Sequence, residues 1–283
     1  MAEITAAAVK ELREITGVAM MDCKKALVEC DGDLEAAQEL LRKKGQAKAL
    51  KKSSRETTEG AITSAASEDG RTVSMVRLSC ETDFVARNEK FQALVNQLAL
   101  QALEQGDQDF MNQPTGEGIS VQELITQKIA ELGENMQLAD VRRVSVKNGV
   151  IGSYIHMTGK IGVLVPLETD QPCDDESLQA LAKDLAMHIA ATPSEAVRAD
   201  QVDQSAIDKE REVFAAQARE SGKPEEIIEK MIGGRVQKFL KEVCVETQPF
   251  VKDSQITVGN LVKEKGKALG VAITFDQFVK FQF

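Results

Sequence analysis

One segment of this chain occurs twice with a single telling change, and that duplication constrains the fold more than any other feature. Residues 81–94 and 168–181 both read Glu-Thr-Asp, seven variable residues, one apolar residue and then Gln-Ala-Leu. Self-similarity kept in order marks a repeated structural unit, and it separates what the fold requires from what one copy does alone. Upstream, Gly60, Gly70, Val76 and Leu78 match Gly149, Gly159, Val165 and Leu167 at an offset of 89 residues. The offset becomes 87 at Glu81, because Ser79 and Cys80 have no counterpart before Glu168. Ile119–Ile125 then resembles Ile256–Val262 at an offset of 137, so the second copy carries about 50 extra residues as an insertion. Among the unshared residues is Phe84, whose place in the second copy is taken by Gln171.

Each copy opens with the pattern of a β-hairpin. Residues 60–66 return through Ser67-Glu68-Asp69-Gly70 to 72–78, and residues 150–157 return through Thr158-Gly159 to 161–167. Asp-Gly is a turn signal, and the flanking runs have strand composition. A helix follows each hairpin, with Phe91, Leu94, Val95, Leu98 and Ala102 on one face in the first copy and Leu178, Leu181, Leu185 and Ile189 in the second. A later helix and strand close the copies at 141–146 and 271–281. The expected class is α+β, with first and second core halves at 59–147 and 148–283. The insertion, at about 203–243, reads as an antiparallel helical hairpin. Its helices are 207–220 and 225–242, and Ser221-Gly222-Lys223-Pro224 joins them. Ile207, Phe214 and Ala218 are expected to face Ile228, Met231 and Phe239.

Ahead of the duplication, residues 1–46 read as three short helices. Thr5 caps the first, Gly17 stops it, Asp33 caps the third and Gly45 closes it. So few residues make a marginal core, which suits a small recognition module. Residues 47–58 are polar and basic and read as a linker.

Composition narrows the function classes. The formal net charge is −10, which disfavours a nucleic-acid backbone as the main partner. Five scattered cysteines without C-x-x-C fit reduced thiols in a cytoplasmic protein. The N-terminus lacks a basic run leading into an apolar stretch, and the longest apolar runs are too short to span a bilayer, so neither export nor a membrane is expected. With two histidines a three-histidine metal centre is impossible, and neither a Walker sequence nor G-x-G-x-x-G occurs. No metal or cofactor is expected, nor is catalysis by the chain's own side chains. His188 reads as a histidine at the core edge. A Cys80–His156 nucleophile pair stays open on sequence, although Cys80 ends an apolar strand, where buried inert thiols are usual.

Phe84 follows Asp83 at a strand-to-helix turn rimmed by charged residues. A phenylalanine there can pack into its own core or serve a partner, and the second copy folds without it. Thr82 and Asp83 recur as Thr169 and Asp170, so a turn or cap role is their default.

The residues Thr82-Asp83-Phe84-Val85-Ala86-Arg87 resemble the bacterial translation elongation factor Ts family. So do Leu12-Arg13-Glu14-Ile15-Thr16-Gly17 and Met20-Met21-Asp22-Cys23-Lys24-Lys25-Ala26-Leu27. Further matches are Gly152-Ser153-Tyr154-Ile155-His156, Met187-His188-Ile189-Ala190-Ala191, Gly222-Lys223-Pro224 and Gln248-Pro249-Phe250-Val251. The resemblance implies an N-terminal module like a ubiquitin-associated domain, a two-part core and a protruding helical hairpin. It also implies guanine-nucleotide exchange on the GTPase elongation factor Tu. By position, Thr82, Asp83, Phe84 and Val85 would push into that GTPase and dislodge Mg²⁺. Leu12, Arg13, Met20 and Met21 would touch it from the N-terminal module, and His156 from the second half. The chain departs from some members by ending soon after its last strand, where they continue into a C-terminal helical module, and 104–118 matches poorly. The rival from another class is an adaptor whose three-helix module binds ubiquitin-like or peptide ligands.

Overall fold

The structure, a computed structural model, describes residues 4–219 and 224–283. The turn expected at Ser221-Gly222-Lys223 lies outside the described residues. The chain forms two compact units, one of Met1–Ala65, Ser74–Arg143 and Phe283, the other of Ala66–Val73 and Val144–Gln282.

The N-terminal helices are α1 (Ala6–Thr16), α2 (Met20–Glu29) and α3 (Leu34–Lys52). Thr5 accepts from the Ala8 N–H as N-cap, Gly17 stops α1 in the left-handed region, and Asp33 caps α3 through the Ala36 N–H. Val9, Leu12, Cys23, Leu27, Ala37 and Leu41 make their small shared core.

The stop expected at Gly45 is not made: α3 continues to Lys52 and absorbs much of the expected linker. Leu41, Gly45 and Ala49 lie one turn apart and are all buried. A β-carbon on Gly45 would sit 3.2 Å from that of Ala130, so this glycine permits a close helix crossing instead of ending the helix.

The first copy runs β1 (Glu59–Ala66), β2 (Thr72–Cys80), α4 (Asp83–Ala86), α5 (Glu89–Gln105), α6 (Val121–Leu132) and β3 (Met136–Ser145), with sheet order β1-β2-β3. The second runs β4 (Gly149–Ile155), β5 (Ile161–Thr169) and α7 (Glu176–Ala191). It then carries α8 (Gln204–Arg219), α9 (Glu225–Val243), β6 (Pro249–Phe250), β7 (Asp253–Thr257) and α10 (Val258–Leu269). The closing strand is split into β8 (Ile273–Thr274) and β9 (Val279–Gln282). β5 pairs antiparallel with β4 from Gly149↔Glu168 to Ile155↔Gly162 and meets β8 and β9 on its other edge. Helices α6 and α10 begin and end at residues one repeat apart in the sequence, and Gly133 and Gly270 stop them alike in the left-handed region.

The repeated helices bury the faces read from sequence: Phe91, Leu94, Val95, Leu98 and Ala102 in one core, Leu178, Leu181, Leu185 and Ile189 in the other. In the inserted pair, Ile228, Ile232 and Ala218 form one buried cluster, while Ile207 and Phe239 join another. Ile232 takes the buried position expected of Met231, and Phe214 lies 6.0 Å from the Arg235 guanidinium. Gly233 and Gly234 sit exposed within an unbroken α9, with nothing within 4 Å of an added β-carbon. Among the described residues no helix is long and apolar enough to cross a membrane.

Candidate functional site

At the end of β2 the chain must leave a buried strand and enter α5, and it does so through one helical turn. Thr82 is extended (φ −128°, ψ 157°), and its hydroxyl accepts from the Val85 N–H as N-cap of α4. The turn closes when the Arg87 N–H donates to the Asp83 carbonyl, and Asn88 then caps α5 through the Lys90 N–H. Two caps six residues apart leave room for a single turn with one inward face. Ala86 fills that face and Val85 packs partly beside it. Phe84 is left pointing outward and is 83% exposed.

The base of this turn is fastened on several sides. The Thr82 backbone N–H and hydroxyl both donate to the Glu134 carboxylate, at 3.0 and 2.6 Å. Gln92 donates from its side-chain amide to the Ala86 carbonyl at 2.6 Å. Glu81 accepts from the Asn135 N–H at 2.6 Å and pairs with Arg55 at 3.3 Å. Asp83 is paired with Arg87 at 3.1 Å, but both side chains are open to water, where such pairs contribute little. Cys80 is fully buried and its thiol donates to the Thr82 carbonyl, so the thiol is part of the turn's packing.

The other expected positions are distributed as follows. Met20 and Met21 are exposed on α2 beside Lys24 and Lys25, and Ile15 and Val28 extend the apolar surface. Arg13 is exposed, whereas Leu12 is fully enclosed in the helical core, so Leu12 holds α1 in place without presenting a side chain. Asp22 is tied to Lys48 at 2.9 Å, and that hydrogen bond holds its carboxyl below the usual range. His156 is exposed just past β4, where its Nδ1 meets the Tyr154 hydroxyl at 3.0 Å; the adjacent Met157 is almost wholly exposed. His188 is fully buried. Among the described residues, His, Cys, Asp and Glu side chains form no cluster of three or more able to hold a metal ion.

Sequence reasoning misses Glu134, Gln92 and Met157. For Glu134 a signal exists: at the 137-residue offset its counterpart is Val271, so the acid belongs to one copy alone.

These features define a duplicated α+β protein with an N-terminal helical module, an inserted helical hairpin and an exposed aromatic at the turn between its first sheet and helix. The family model described as elongation factor TS matches residues 81–283. An elongation factor Ts of Desulfovibrio desulfuricans is 48% identical over 286 residues, covering 100% of this chain and 99% of the relative. Those of Clostridium novyi and Clostridium botulinum are 46% and 47% identical, each covering 99% of this chain and 92% of the relative. The chain belongs to the elongation factor Ts family.

Proposed function

We propose that this protein is a guanine-nucleotide exchange factor of translation elongation: it binds elongation factor Tu carrying GDP, displaces Mg²⁺ there and speeds GDP release so that GTP can bind. The observation that carries this reading is the exposure of Phe84 on a fastened helical turn, where the second copy has Gln171 and no such turn. Phe84 enters the GTPase as a wedge, with Thr82, Asp83 and Val85 shaping its base. Asp83 must exchange its contact with Arg87 for one on the partner, at small cost because the pair is exposed.

Exchange needs no covalent step and no active site in this chain. A factor that weakens GDP binding is itself weakened equally by GDP, because the two ligands share one coupling free energy. Each tenfold loss of nucleotide affinity demands about 1.4 kcal/mol of coupling. One buried phenylalanine supplies about 1.5–3 kcal/mol, so strong acceleration needs a wider interface.

The three-helix module contributes Arg13, Met20 and Met21, with Leu12 holding its helix. The second half (148–283) contributes His156, and the hairpin at about 203–243 extends reach. Docking is protein to protein, without nucleic acid or membrane, in the cytoplasm. Stopped-flow release of a fluorescent GDP analogue from elongation factor Tu tests the proposal. Acceleration that saturates with added protein is expected, and an unchanged rate overturns it.

A further inference from the structure

We infer that Glu134 is a positioning residue for Phe84: its carboxylate brackets the start of α4 and holds the ring in its outward pose. The inference deepens the exchange reading and rests on it. A four-residue helix has a single turn and no propagation to stabilise it, so its direction depends on what grips its ends. Glu134 grips the first end with both carboxylate oxygens, Oε2 on the Thr82 N–H and Oε1 on the Thr82 hydroxyl. By accepting the hydrogen bond that the hydroxyl donates, the carboxylate leaves the lone pairs of Oγ1 facing the Val85 N–H, which the cap needs. Charge-assisted bonds of this kind are the stronger class, and here one side chain makes two.

The duplication supplies a control within the chain. In the second copy the matching Thr169 caps no helix: β5 ends there, residues 170–171 only bend, and no helical turn precedes α7. The Thr169 N–H donates to the Asn148 carbonyl at 3.2 Å and its hydroxyl to the Gln171 carbonyl at 2.7 Å. Where the acid is missing, the helical turn is missing too. Glu134 occurs with Phe84 in one copy, and Val271 with Gln171 in the other. The acid thus accompanies the helical turn that carries the exposed ring.

The loop bearing Glu134 also anchors α3. The Lys52 ammonium donates to the Gly133 carbonyl, and the Asn135 side-chain amide donates to the Arg55 carbonyl at 2.9 Å. The end of the last N-terminal helix and the base of the Phe84 turn thus share one bracket, Gly133–Asn135.

The test uses the full chain with Glu134→Ala and Glu134→Gln, each with and without Phe84→Ala. Glu134→Ala should lower the saturating rate of GDP release about tenfold. The concentration giving half that rate should change by less than about twofold, since the rest of the interface is intact. Glu134→Gln, which keeps one acceptor oxygen, should recover part of the rate. In the Phe84→Ala background, Glu134→Ala should subtract nothing further, because it acts through the ring. The chain contains no Trp, so Phe84→Trp places a sole tryptophan reporter at the site. Its emission anisotropy should fall when Glu134→Ala is added. An unchanged rate in Glu134→Ala, an additive loss in the double variant, or an unchanged anisotropy would each overturn the bracket. Failure of the wild-type chain to release GDP would overturn the exchange reading instead, while the anisotropy would still decide whether Glu134 positions the ring.

Discussion

A phenylalanine left in water forgoes about 1.5–3 kcal/mol that burial would contribute. Phe84 does so on a turn whose neighbouring backbone groups are held by Glu134, Gln92 and Asn88. Phe84→Ala should therefore leave the urea midpoint almost unchanged, within about 0.5 kcal/mol, as expected for a surface substitution. The same variant should slow release of a fluorescent GDP analogue from elongation factor Tu at least about tenfold, if the truncated ring supplied about 1.4 kcal/mol of the coupling.

His188 is its opposite. It is fully buried, Nδ1 accepts from the Val251 N–H at 3.3 Å, and Nε2 donates to the Gln248 Oε1 at 2.7 Å. Both nitrogens are used by the neutral ring, and burial pulls its pKa below the usual histidine value, opposed in part by the Gln248 bond. In the unfolded chain this histidine takes a proton near pH 6.5. The stability it contributes is therefore complete above about pH 6.5 and is lost as pH falls toward the lower folded value. Denaturant titrations should show His188→Gln less stable than wild type at pH 7.5, with a smaller further loss on going to pH 5.

At the level of elements, the duplication rests on glycines that no other residue can replace. Gly60 (φ +146°) and Gly149 (φ +101°) stand at matched positions, and a β-carbon on either would come within 2.1 Å of a carbonyl oxygen, that of Leu78 or Leu167. Gly149→Ala should destabilise by at least about 1–3 kcal/mol from backbone strain alone. Urea unfolding measures it. Gly233 and Gly234 should behave in the opposite way. They lie exposed in α9 with open space around them, so Gly234→Ala removes a helix penalty without a clash. It should stabilise α9 by about 0.5–1 kcal/mol, seen as slower amide exchange in the arm. Gly45 shows that one residue type carries two meanings: sequence pattern reads it as a stop, and its neighbour Ala130 makes it a crossing point.

For the whole molecule the sharpest test is reciprocity. If the chain lowers the affinity of elongation factor Tu for GDP by some factor, GDP must lower the affinity of the GTPase for the chain by the same factor. Calorimetric titration with and without GDP should return the two equal factors. Unequal factors would mean that the measured species are not the ones in the exchange cycle.

The repeat, its turns, the buried helix faces and the α+β class were legible in the sequence because each is local. Hydrophobic period, cap residues and Asp-Gly turns act over a few positions and favour the same local conformation wherever the segment is placed. The exposure of Phe84 was legible by elimination: a residue that one copy has and the other folds without is spare to the fold. What no local rule could decide was direction and company. Leu12 and Arg13 are adjacent, yet one is sealed and the other exposed, because α1 turns a single face to its neighbours. The crossing of α3 at Ala130 and the grip of Glu134 on Thr82, on which the outward pose of Phe84 depends, join residues about 50 or more apart in sequence. Such contacts exist only after the chain has closed on itself, since side chains that meet through folding leave no trace in the spacing of the residues that carry them.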